Sequence, residues 1–454
     1  MLDRMTIANF KSWGQADLRF GRITGLFGTN SSGKSSLIQF LLLLKQTREA
    51  TDNNVELALN GLYLRLGDFA AMIHTHDDAL RLQWGLTFTR PAELALPDPA
   101  AAPGATIVRG RQVSVRGSAS ASVSRESLMS FGPFAEELEY VIGGARFQLA
   151  LRQPMGFELS ASGTSFQFQR TPGRPWHLPG PVKSYAFPDQ ARTYFQNAAF
   201  LSDLELAFEE QIDQVFYLGP LREFPQRDYV RAPSRPRDVG QRGERAIDAI
   251  LAATSEGLQS PGADGRQQSF QEAIGDWLHA MGLIEAFTVC ETARGSGRWE
   301  ALMLTRQSHV TVPLTDVGFG VSQVLPVITL LLYVPEGSTV ILEQPEIHLH
   351  PLAQAELADV IINTARNRNL QVIVESHSEH LLLRLQRRVA EASLSADDCK
   401  LYFCRSADGE SLLEPLALDE YGNIGNWPEH FMGDAFGETY AAEKARLIRM
   451  AAAQ

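Results

Sequence analysis

The feature that most constrains this chain is a glycine-rich stretch near its start, Gly28-Thr29-Asn30-Ser31-Ser32-Gly33-Lys34-Ser35. Two glycines five positions apart, followed by Lys-Ser, fit the phosphate-binding loop pattern. An apolar run over residues 23–27 precedes the loop and predicts a buried strand, and a second apolar run over residues 36–44 follows it and predicts a helix. Because the motif requires this strand, loop and helix in succession, the sequence predicts a P-loop nucleotide-binding fold.

The chemistry of such a loop assigns roles to its residues. Backbone N–H groups surround the phosphates, and the helix N-terminus adds a partial positive charge. Lys34 is expected to reach the outer phosphates, and the Ser35 hydroxyl is expected to bind Mg²⁺. The residues predicted to bind the nucleotide here are Gly28, Asn30, Ser31, Ser32, Gly33, Lys34, Ser35 and Ser36.

Composition limits the class of protein. The chain has 454 residues, enough for more than one lobe, and its net charge of −12 argues against a broadly basic nucleic-acid coat without excluding a local basic groove. Its start lacks the apolar core of a signal peptide, and the longest apolar run, 324–334, contains a proline and is too short to span a bilayer. Three cysteines show neither disulfide nor metal-ligand spacing. We therefore expect a cytoplasmic protein without a membrane role.

Three later stretches resemble the other half of a nucleotide site. Residues 338–343 form a β-branched apolar strand that ends in Glu343, a carboxylate placed to hold Mg²⁺ opposite Ser35. Residues 370–378 form another buried strand that ends in Ser-His-Ser, from which His377 can reach the γ-phosphate. Residues 315–323 form a glycine-spaced turn before an apolar helix, an anion-binding arrangement. The candidate nucleotide contacts in this turn are Gly318, Gly320 and Ser322.

Two other stretches admit two interpretations each. Residues 222–245 contain seven arginines, which fit either a phosphate-contacting loop or a solvated linker, since acids occur there too. His348 and His350 follow Glu346 closely and invite a metal site, but the adjoining Pro351 favours a turn.

The chain divides into four predicted parts. Residues 1–89 hold the phosphate loop, 90–214 form an inserted β-rich and helical lobe, 215–385 hold the later motifs, and 386–454 form a short C-terminal domain. Residues 90–125 are rich in Ala, Pro, Gly and Ser, which predicts a flexible insertion or a weakly specified hairpin. The predicted fold class is α/β, with a mixed central sheet flanked by helices.

The order of these motifs resembles that of ABC-type ATPase heads of the SMC, RecF and OLD group. Residues 5–12 are similar to the opening strand of these heads, 317–323 to a divergent signature loop, 343–346 to the Walker B motif, and 375–378 to the switch histidine. The chain is also similar to bacterial AAA ATPases with a short C-terminal domain of unknown function, which often ends in a Trp-Pro-x-x-Phe-like patch, here residues 426–431. The resemblance covers residues 1–70 and 215–434 and implies an ABC-type head with ATP and Mg²⁺ as cofactors. OLD-type relatives add a nuclease domain, and because only about 75 residues follow His377 we expect none of that kind here.

The resemblance also implies a head-to-tail dimer, in which the signature loop of one subunit closes the ATP held by the other. One departure concerns the water that attacks ATP, because Gln344 stands where these heads commonly have a second acid. Glutamine can orient a water but cannot take its proton. The residue that activates the water stays open among Gln344, Glu346 and His377. We therefore expect slow ATP hydrolysis and a stable ATP-bound dimer.

Two functions fit these features. The first is an ATP-driven switch acting on DNA or a DNA-linked partner, in DNA maintenance or anti-phage defence. The second is a regulatory scaffold that holds or activates a separate effector, such as a nuclease or toxin, without touching DNA. A transporter subunit is disfavoured because the signature loop lacks the Leu-Ser-Gly-Gly-Gln form. The trigger, the effector, any assembly above the dimer and the role of residues 90–214 cannot be derived from the sequence.

Overall fold

The computed structural model describes residues 1–52, 55–99, 104–121, 132–152, 156–173, 177–306 and 310–427, together with 444 and 446. The helices are α1 (Lys34–Glu49), α2 (Phe69–Met72), α3 (Asp189–Tyr194), α4 (Leu201–Asp213), α5 (Ala246–Ser255), α6 (Phe270–Ala280), α7 (Phe319–Tyr333), α8 (Pro351–Asn367) and α9 (Glu379–Ala390). The strands are β1 (Leu2–Phe10), β2 (Trp13–Arg19), β3 (Ile23–Gly28), β4 (Leu82–Pro97), β5 (Thr106–Ala121), β6 (Pro133–Ile142), β7 (Ala145–Arg152), β8 (Gly156–Ser162), β9 (Val215–Leu218), β10 (Tyr229–Val230), β11 (Gln259–Pro261), β12 (Gln267–Ser269), β13 (Ala286–Glu291), β14 (Arg298–Leu304), β15 (Thr311–Pro313), β16 (Thr339–Glu343), β17 (Gln371–Glu375), β18 (Cys399–Ala407) and β19 (Glu410–Pro415).

A six-stranded sheet lies at the centre of the fold. Its order is β19-β18-β3-β17-β16-β9, and all neighbours run parallel except β18 and β19. The strand before the phosphate loop therefore lies between β17 and β18. Parallel strands buried on both faces are near-continuous apolar runs, as β16 and β17 are. The predicted α/β class with a mixed central sheet is confirmed.

A second, antiparallel sheet has seven strands in the order β2-β1-β4-β5-β6-β7-β8. It joins the first strands of the chain to those of the predicted inserted lobe in one continuous ladder. The described part of residues 90–125 belongs to that ladder, since β4 and β5 pair as a long hairpin; residues 100–103 and 122–131 lie outside the described residues. The boundary predicted between residues 89 and 90 falls inside β4, and the four-part division of the chain stays a prediction.

Two hydrophobic cores lie on opposite faces of the central sheet. Alternate residues of its strands point to alternate cores, so Ile23 and Phe27 enter one core while Leu26 enters the other. Helices α5 to α9 cover the first face. Helix α1 packs in the second core, between the two sheets, and is buried over most of its surface, as expected for a helix that is apolar nearly all round.

A buried glutamine joins the two sheets. Gln371, at the start of β17, accepts a hydrogen bond from the backbone N–H of Leu2 at 2.9 Å and donates to the Leu2 carbonyl at 2.8 Å. The side-chain amide thus replaces a backbone partner for β1, which satisfies polar groups that would otherwise be buried without one. Among the described residues, no helix is both long and apolar enough to cross a membrane.

Candidate nucleotide site

The phosphate loop has the backbone that its sequence predicts. Gly28, Ser31 and Gly33 have positive φ angles of 141°, 61° and 88°, and α1 begins directly after them at Lys34. The Lys34 ammonium is buried and donates to the carbonyls of Gly28 at 3.1 Å and Thr29 at 2.7 Å. It therefore lies folded over the loop, and burial lowers its pKa.

Of the other predicted loop contacts, Asn30 and Ser31 are exposed at the tip, and Ser32 is fully buried. Ser36 donates its backbone N–H to the Gly33 carbonyl at 3.0 Å, in the first turn of α1. The exposed residues face solvent, where a phosphate would enter.

Both glycines of the motif are required by close neighbours as well as by their φ angles. A Cβ on Gly28 would lie 2.1 Å from the carbonyl oxygen of Cys404 in β18. A Cβ on Gly33 would lie 2.4 Å from Ser411 Oγ, and the Gly33 carbonyl accepts from Trp13 Nε1 at 3.0 Å. The loop is thus held between the opening β-hairpin and the C-terminal hairpin of β18 and β19.

The carboxyl ends of two neighbouring strands place acids opposite the loop. Glu343 ends β16 and Glu375 ends β17, and the two are register partners. The Ser35 hydroxyl donates to Glu375 Oε1 at 2.9 Å. Burial raises the pKa of Glu375. The hydrogen bond from Ser35 acts in the opposite direction but does not cancel this rise.

Glu343 is surrounded by polar groups from β9 and the turn after it. The Tyr217 hydroxyl donates to Glu343 Oε1 at 3.1 Å, and Arg222 donates to the Glu343 main-chain carbonyl at 3.3 Å. Burial, with the nearby charge of Glu375, raises the pKa of Glu343 to about 7. Close to neutral pH, this carboxyl therefore gains or loses a proton readily.

Glu346 links the turn after β16 to the turn after β17. Its Oε1 accepts from Ser376 Oγ at 2.7 Å and from the backbone N–H of His377 at 2.9 Å. Its Oε2 is buried and has no hydrogen-bond partner among the described residues. Burial raises the pKa of the Glu346 carboxyl, and the hydrogen bond from Ser376 acts against this rise.

The predicted switch histidine lies beside the phosphate loop. Burial and the positive charge of Lys34 lower the pKa of His377. A hydrogen bond to the Gly28 backbone raises it, but by less. Its imidazole is therefore neutral at pH 7 and able to hydrogen-bond a phosphate. Gln344, between Glu343 and Pro345, has a left-handed backbone with φ of 44° and donates its N–H to the Glu375 carbonyl at 2.8 Å.

The site has donors that suit a hard divalent cation. Ser35, Glu375 and Glu343 offer a hydroxyl and two carboxylates at adjacent strand ends, and Mg²⁺ prefers oxygen ligands of this kind. Glu375 Oε2 is buried and without a hydrogen-bond partner in the described part of the chain, so it is available as a ligand. Two desolvated acids side by side also repel each other, which a cation would relieve. Ser35 and Glu343 thus fit the predicted Mg²⁺ site, with Glu375 added.

The glycine-spaced turn of residues 315–323 leads into α7. Gly318 precedes α7, and Ser322 Oγ donates to the Phe319 carbonyl at 2.8 Å within its first turn. A Cβ on Gly320 would lie 3.0 Å from the carbonyl oxygen of His348. This turn therefore packs against the turn after β16 and leaves Gly318 open.

The two histidines of that turn occupy structural positions. The His348 ring packs edge-on against the half-exposed Phe319 ring, with centroids 4.8 Å apart. His350 caps α8, accepting from the Leu352 N–H at 3.4 Å. No cluster of three or more His, Cys, Asp or Glu placed to hold a metal occurs among the described residues.

Sequence reasoning missed three groups. Glu375 appeared only as part of the switch motif, and Tyr217 and Arg222 were assigned no role at the acids. Glu375 could have been predicted from its position as the last residue of a buried apolar strand, which is the pattern that identified Glu343 as a cation ligand. No local pattern could place Tyr217, because its contact spans 126 residues of sequence.

The fold and site together define a P-loop NTPase of the ABC-ATPase head type. Residues 174–384 match the family model described as "AAA domain, putative AbiEii toxin, Type IV TA system", and residues 394–441 match "Protein of unknown function (DUF3696)". The chain therefore combines an AAA domain of that description with a short C-terminal segment of unknown function, which confirms the resemblance stated from the sequence. Among curated proteins, none matches the chain significantly.

Solved structures similar to this chain include heads of SMC proteins. One is an SMC head domain from Thermotoga maritima, with 10% identity and a TM-score of 0.40, covering 91% of this chain and 98% of that one. Another is an Smc head with an extended coiled coil bound to the C-terminal domain of ScpA, derived from Pyrococcus furiosus, with 10% identity and a TM-score of 0.46 over 92% and 96%.

Proposed function

We propose that this chain binds ATP with Mg²⁺ and hydrolyses it slowly in the cytoplasm, and that two copies close head-to-tail around the nucleotide. The observation that carries the proposal is the convergence of Lys34 and Ser35 with Glu375 and Glu343 at the carboxyl ends of three adjacent parallel strands. Ligands of doubly wound sheets bind at this edge. The family of the AAA domain supports the same function.

An exposed aromatic surface supports the dimer. Phe224 is 68% exposed and Phe319 42% exposed, and their ring centroids are 6.0 Å apart. Phe319 directly follows Gly318, where a Cβ would meet nothing within 4 Å at the start of α7. Large exposed apolar side chains grouped in this way are typical of interaction sites. We assign this surface to the second copy, with Gly318, Gly320 and Ser322 contacting the ATP that the second copy holds.

Slow turnover follows from the residue after Glu343. Gln344 can orient a water molecule, but it leaves the proton to Glu346 or His377. The buried Oε2 of Glu346 is the oxygen available for that proton. The ATP-bound dimer is accordingly expected to persist and to act as the signalling state.

The test is self-association measured by light scattering, with and without Mg-ATP. Lys34→Ala removes the cation that faces the phosphates and is expected to abolish ATP retention and dimerisation together. Phe319→Asp is expected to retain ATP binding but to block the dimer, because a charge would be buried against the second copy. Leu206→Asp, on the 53% exposed Leu206 of α4, is the matched control and should change neither property.

Two results would contradict the proposal. If Lys34→Ala changes neither ATP retention nor self-association, the phosphate loop does not bind ATP as described. If Phe319→Asp dimerises like the wild type in Mg-ATP, the aromatic surface is not the dimer contact.

We favour a protein effector over DNA as the partner of this ATPase, because the arginines of residues 222–245 are poorly placed to bind DNA. Four of the seven arginines there form ion pairs with acids: Arg227 with Asp316, Arg235 with Glu256, Arg237 with Asp213 and Glu49, and Arg242 with Glu223. Ion pairing within the fold leaves fewer charges for phosphate contacts. The family description, which names a toxin system, supports an effector protein in defence.

An affinity capture with and without Mg-ATP separates the two outputs. A stoichiometric protein partner that is released or retained according to nucleotide supports the effector scaffold. ATP-dependent, salt-sensitive DNA binding that is lost on replacing Arg231 and Arg245 would instead support a direct role in DNA maintenance.

A further inference from the structure

Arg222 differs from the other arginines of its segment. It follows β9 in the turn that begins at Gly219, and it is only 6% exposed. Its Nη2 donates to the Glu343 main-chain carbonyl at 3.3 Å. Its Nε and Nη1 are buried and have no hydrogen-bond partner among the described residues. Arg242, by contrast, is exposed and pairs with Glu223 at 3.3 Å.

A buried guanidinium with two unused N–H groups is costly for a folded protein. Buried charges are normally paired and hydrogen-bonded, because removal from water is unfavourable otherwise. Burial lowers the pKa of Arg222 to about 10, so the group still carries its positive charge at neutral pH. Its unused donors are therefore suited to an anion that enters the site.

The position of Arg222 identifies which anion fits. Arg222 donates to the carbonyl of Glu343 at the end of β16, and Glu343 is the register partner of Glu375, which accepts from Ser35 of the phosphate loop. Lys34 comes from the phosphate loop after β3. Arg222 comes from the turn after β9, on the far side of β16 in the same sheet. A phosphate beyond the loop, above the ends of β16 and β17, would thus be within reach of both.

We propose that Arg222 binds the terminal phosphate of the nucleotide and stabilises the charge that develops on it during hydrolysis. This inference rests on the ATPase function proposed above. In that reaction the water oxygen bonds to the γ-phosphorus, the bond from phosphorus to the bridging oxygen breaks, and ADP leaves with the electron pair. The water proton passes to the base of the site, and Arg222 keeps its own protons throughout.

A guanidinium suits this role better than an ammonium. Its N–H groups spread around one plane, so a guanidinium that donates to the Glu343 carbonyl through Nη2 still offers Nε and Nη1 to an anion, and it retains its charge when it is desolvated. One of its donors already fixes the side chain on the Glu343 carbonyl, which leaves the others preorganised.

The test compares Arg222→Gln and Arg222→Lys with the control Arg242→Gln, in the full chain. The measurements are the dissociation constants of ATP and ADP, kcat, and trapping of ADP by aluminium fluoride, which mimics the phosphoryl group in transfer. For Arg222→Gln we expect ADP affinity within about twofold of wild type, and kcat lower by about 100-fold, the typical cost of one preorganised charge-stabilising donor. The aluminium fluoride complex should be lost. Arg222→Lys should recover part of the trapping, and Arg242→Gln should behave as wild type.

Each outcome decides the inference. If Arg222→Gln keeps kcat and trapping within about twofold of wild type, Arg222 does not contact the terminal phosphate. If ATP and ADP affinities fall by the same factor, its role is structural and the inference is wrong. Absence of hydrolysis in the wild type would overturn the ATPase proposal alone, since the ratio of ATP to ADP affinity still reports on Arg222: loss of the preference for ATP in Arg222→Gln supports the contact, and an unchanged preference contradicts it. If Arg222→Gln does not fold, Arg222→Lys is compared with wild type: lower kcat and weaker trapping at unchanged ADP affinity support the contact, and wild-type values of both contradict it.

Discussion

Ser35 and Glu375 are joined by a 2.9 Å hydrogen bond, in which the Ser35 hydroxyl donates to Oε1. The two residues are 340 positions apart in the chain, and the bond connects the first turn of α1 with the end of β17. It places a carboxylate directly on the hydroxyl that is expected to bind Mg²⁺. A cation at this position would meet Glu375 as well as Glu343, its register partner.

We therefore predict that Glu375→Gln weakens Mg²⁺ binding without unfolding the loop. The amide oxygen can still accept from Ser35, so the hydrogen bond persists, but one negative charge is lost from the cation site. The Mg²⁺ concentration needed for half-maximal ATP binding should rise about tenfold or more, in line with the cost of altering a group around a metal.

The control for this prediction is Glu379→Gln, which removes an equal charge from an exposed position in the first turn of α9. Titration of Mg²⁺ at fixed ATP gives the measurement. An unchanged Mg²⁺ requirement in Glu375→Gln would show that Glu375 contributes nothing to cation binding.

The acids also make stability depend on pH. The pKa of Glu343 is raised by burial from 4.5 to about 7, so between these values the folded chain holds a proton that the unfolded chain has lost. The contribution of Glu343 to stability must then fall as pH rises through this window, by about 3 kcal/mol in the Mg²⁺-free protein. Glu343→Gln should remove the part of this dependence that Glu343 contributes. Burial also raises the pKa values of Glu56 and Glu205 to about 7, and these two groups act in the same direction as the raised pKa values of Glu346 and Glu375, so a residual slope is expected.

Denaturant unfolding at pH 5, 6, 7 and 8 in the presence of a chelator measures this effect. Addition of Mg²⁺ with nucleotide should flatten the curve, because the cation favours the ionised carboxyl. A fall in stability across the window that is the same in Glu343→Gln as in the wild type would show that Glu343 ionises at its ordinary pKa.

Much of the nucleotide site could be predicted because its motifs are local. The positive φ angles at Gly28 and Gly33 are what the two glycines of the loop predict. Glu343 and Glu375 end β-branched apolar runs, and the last residue of a buried parallel strand points to the ligand edge of the sheet. Each of these conclusions needs only a few consecutive residues.

The remaining contacts depend on which strands become neighbours, and the sequence does not encode that in any local pattern. The hydrogen bond from Tyr217 to Glu343 exists because β9 lies beside β16. The long β4–β5 hairpin was equally hard to specify, since β5 is rich in small residues. The fold explains why one of these small residues, Gly117, has no side chain: a Cβ there would lie 2.5 Å from Nε1 of the buried Trp84. Small side chains there serve packing as well as flexibility.

Gln344→Glu tests the account of slow turnover. A carboxylate at this position could take the proton of the attacking water, and a positioned general base typically accelerates a reaction by about 10²–10⁴-fold. We expect kcat to rise at least about tenfold and the ATP-bound dimer to become shorter-lived. Single-turnover hydrolysis measured together with dimer lifetime checks both, with Gln259→Glu on the exposed Gln259 of β11 as the control. A fast wild-type enzyme that gains nothing from Gln344→Glu would contradict the account.

Gly28→Ala tests whether the C-terminal hairpin fixes the phosphate loop. The new methyl group would lie 2.1 Å from the Cys404 carbonyl in β18, and the φ of 141° disfavours any side chain. Backbone atoms cannot rotate away, so β3 and β18 must separate, at a cost of about 2–3 kcal/mol. Gly132→Ala, where the methyl group meets nothing within 4 Å, should leave stability unchanged.

The free energy of unfolding and the ATP dissociation constant are the measurements. A Gly28→Ala variant as stable as Gly132→Ala would show that β18 does not constrain the loop, whereas loss of stability together with ATP affinity would show that the C-terminal segment helps to build the nucleotide site.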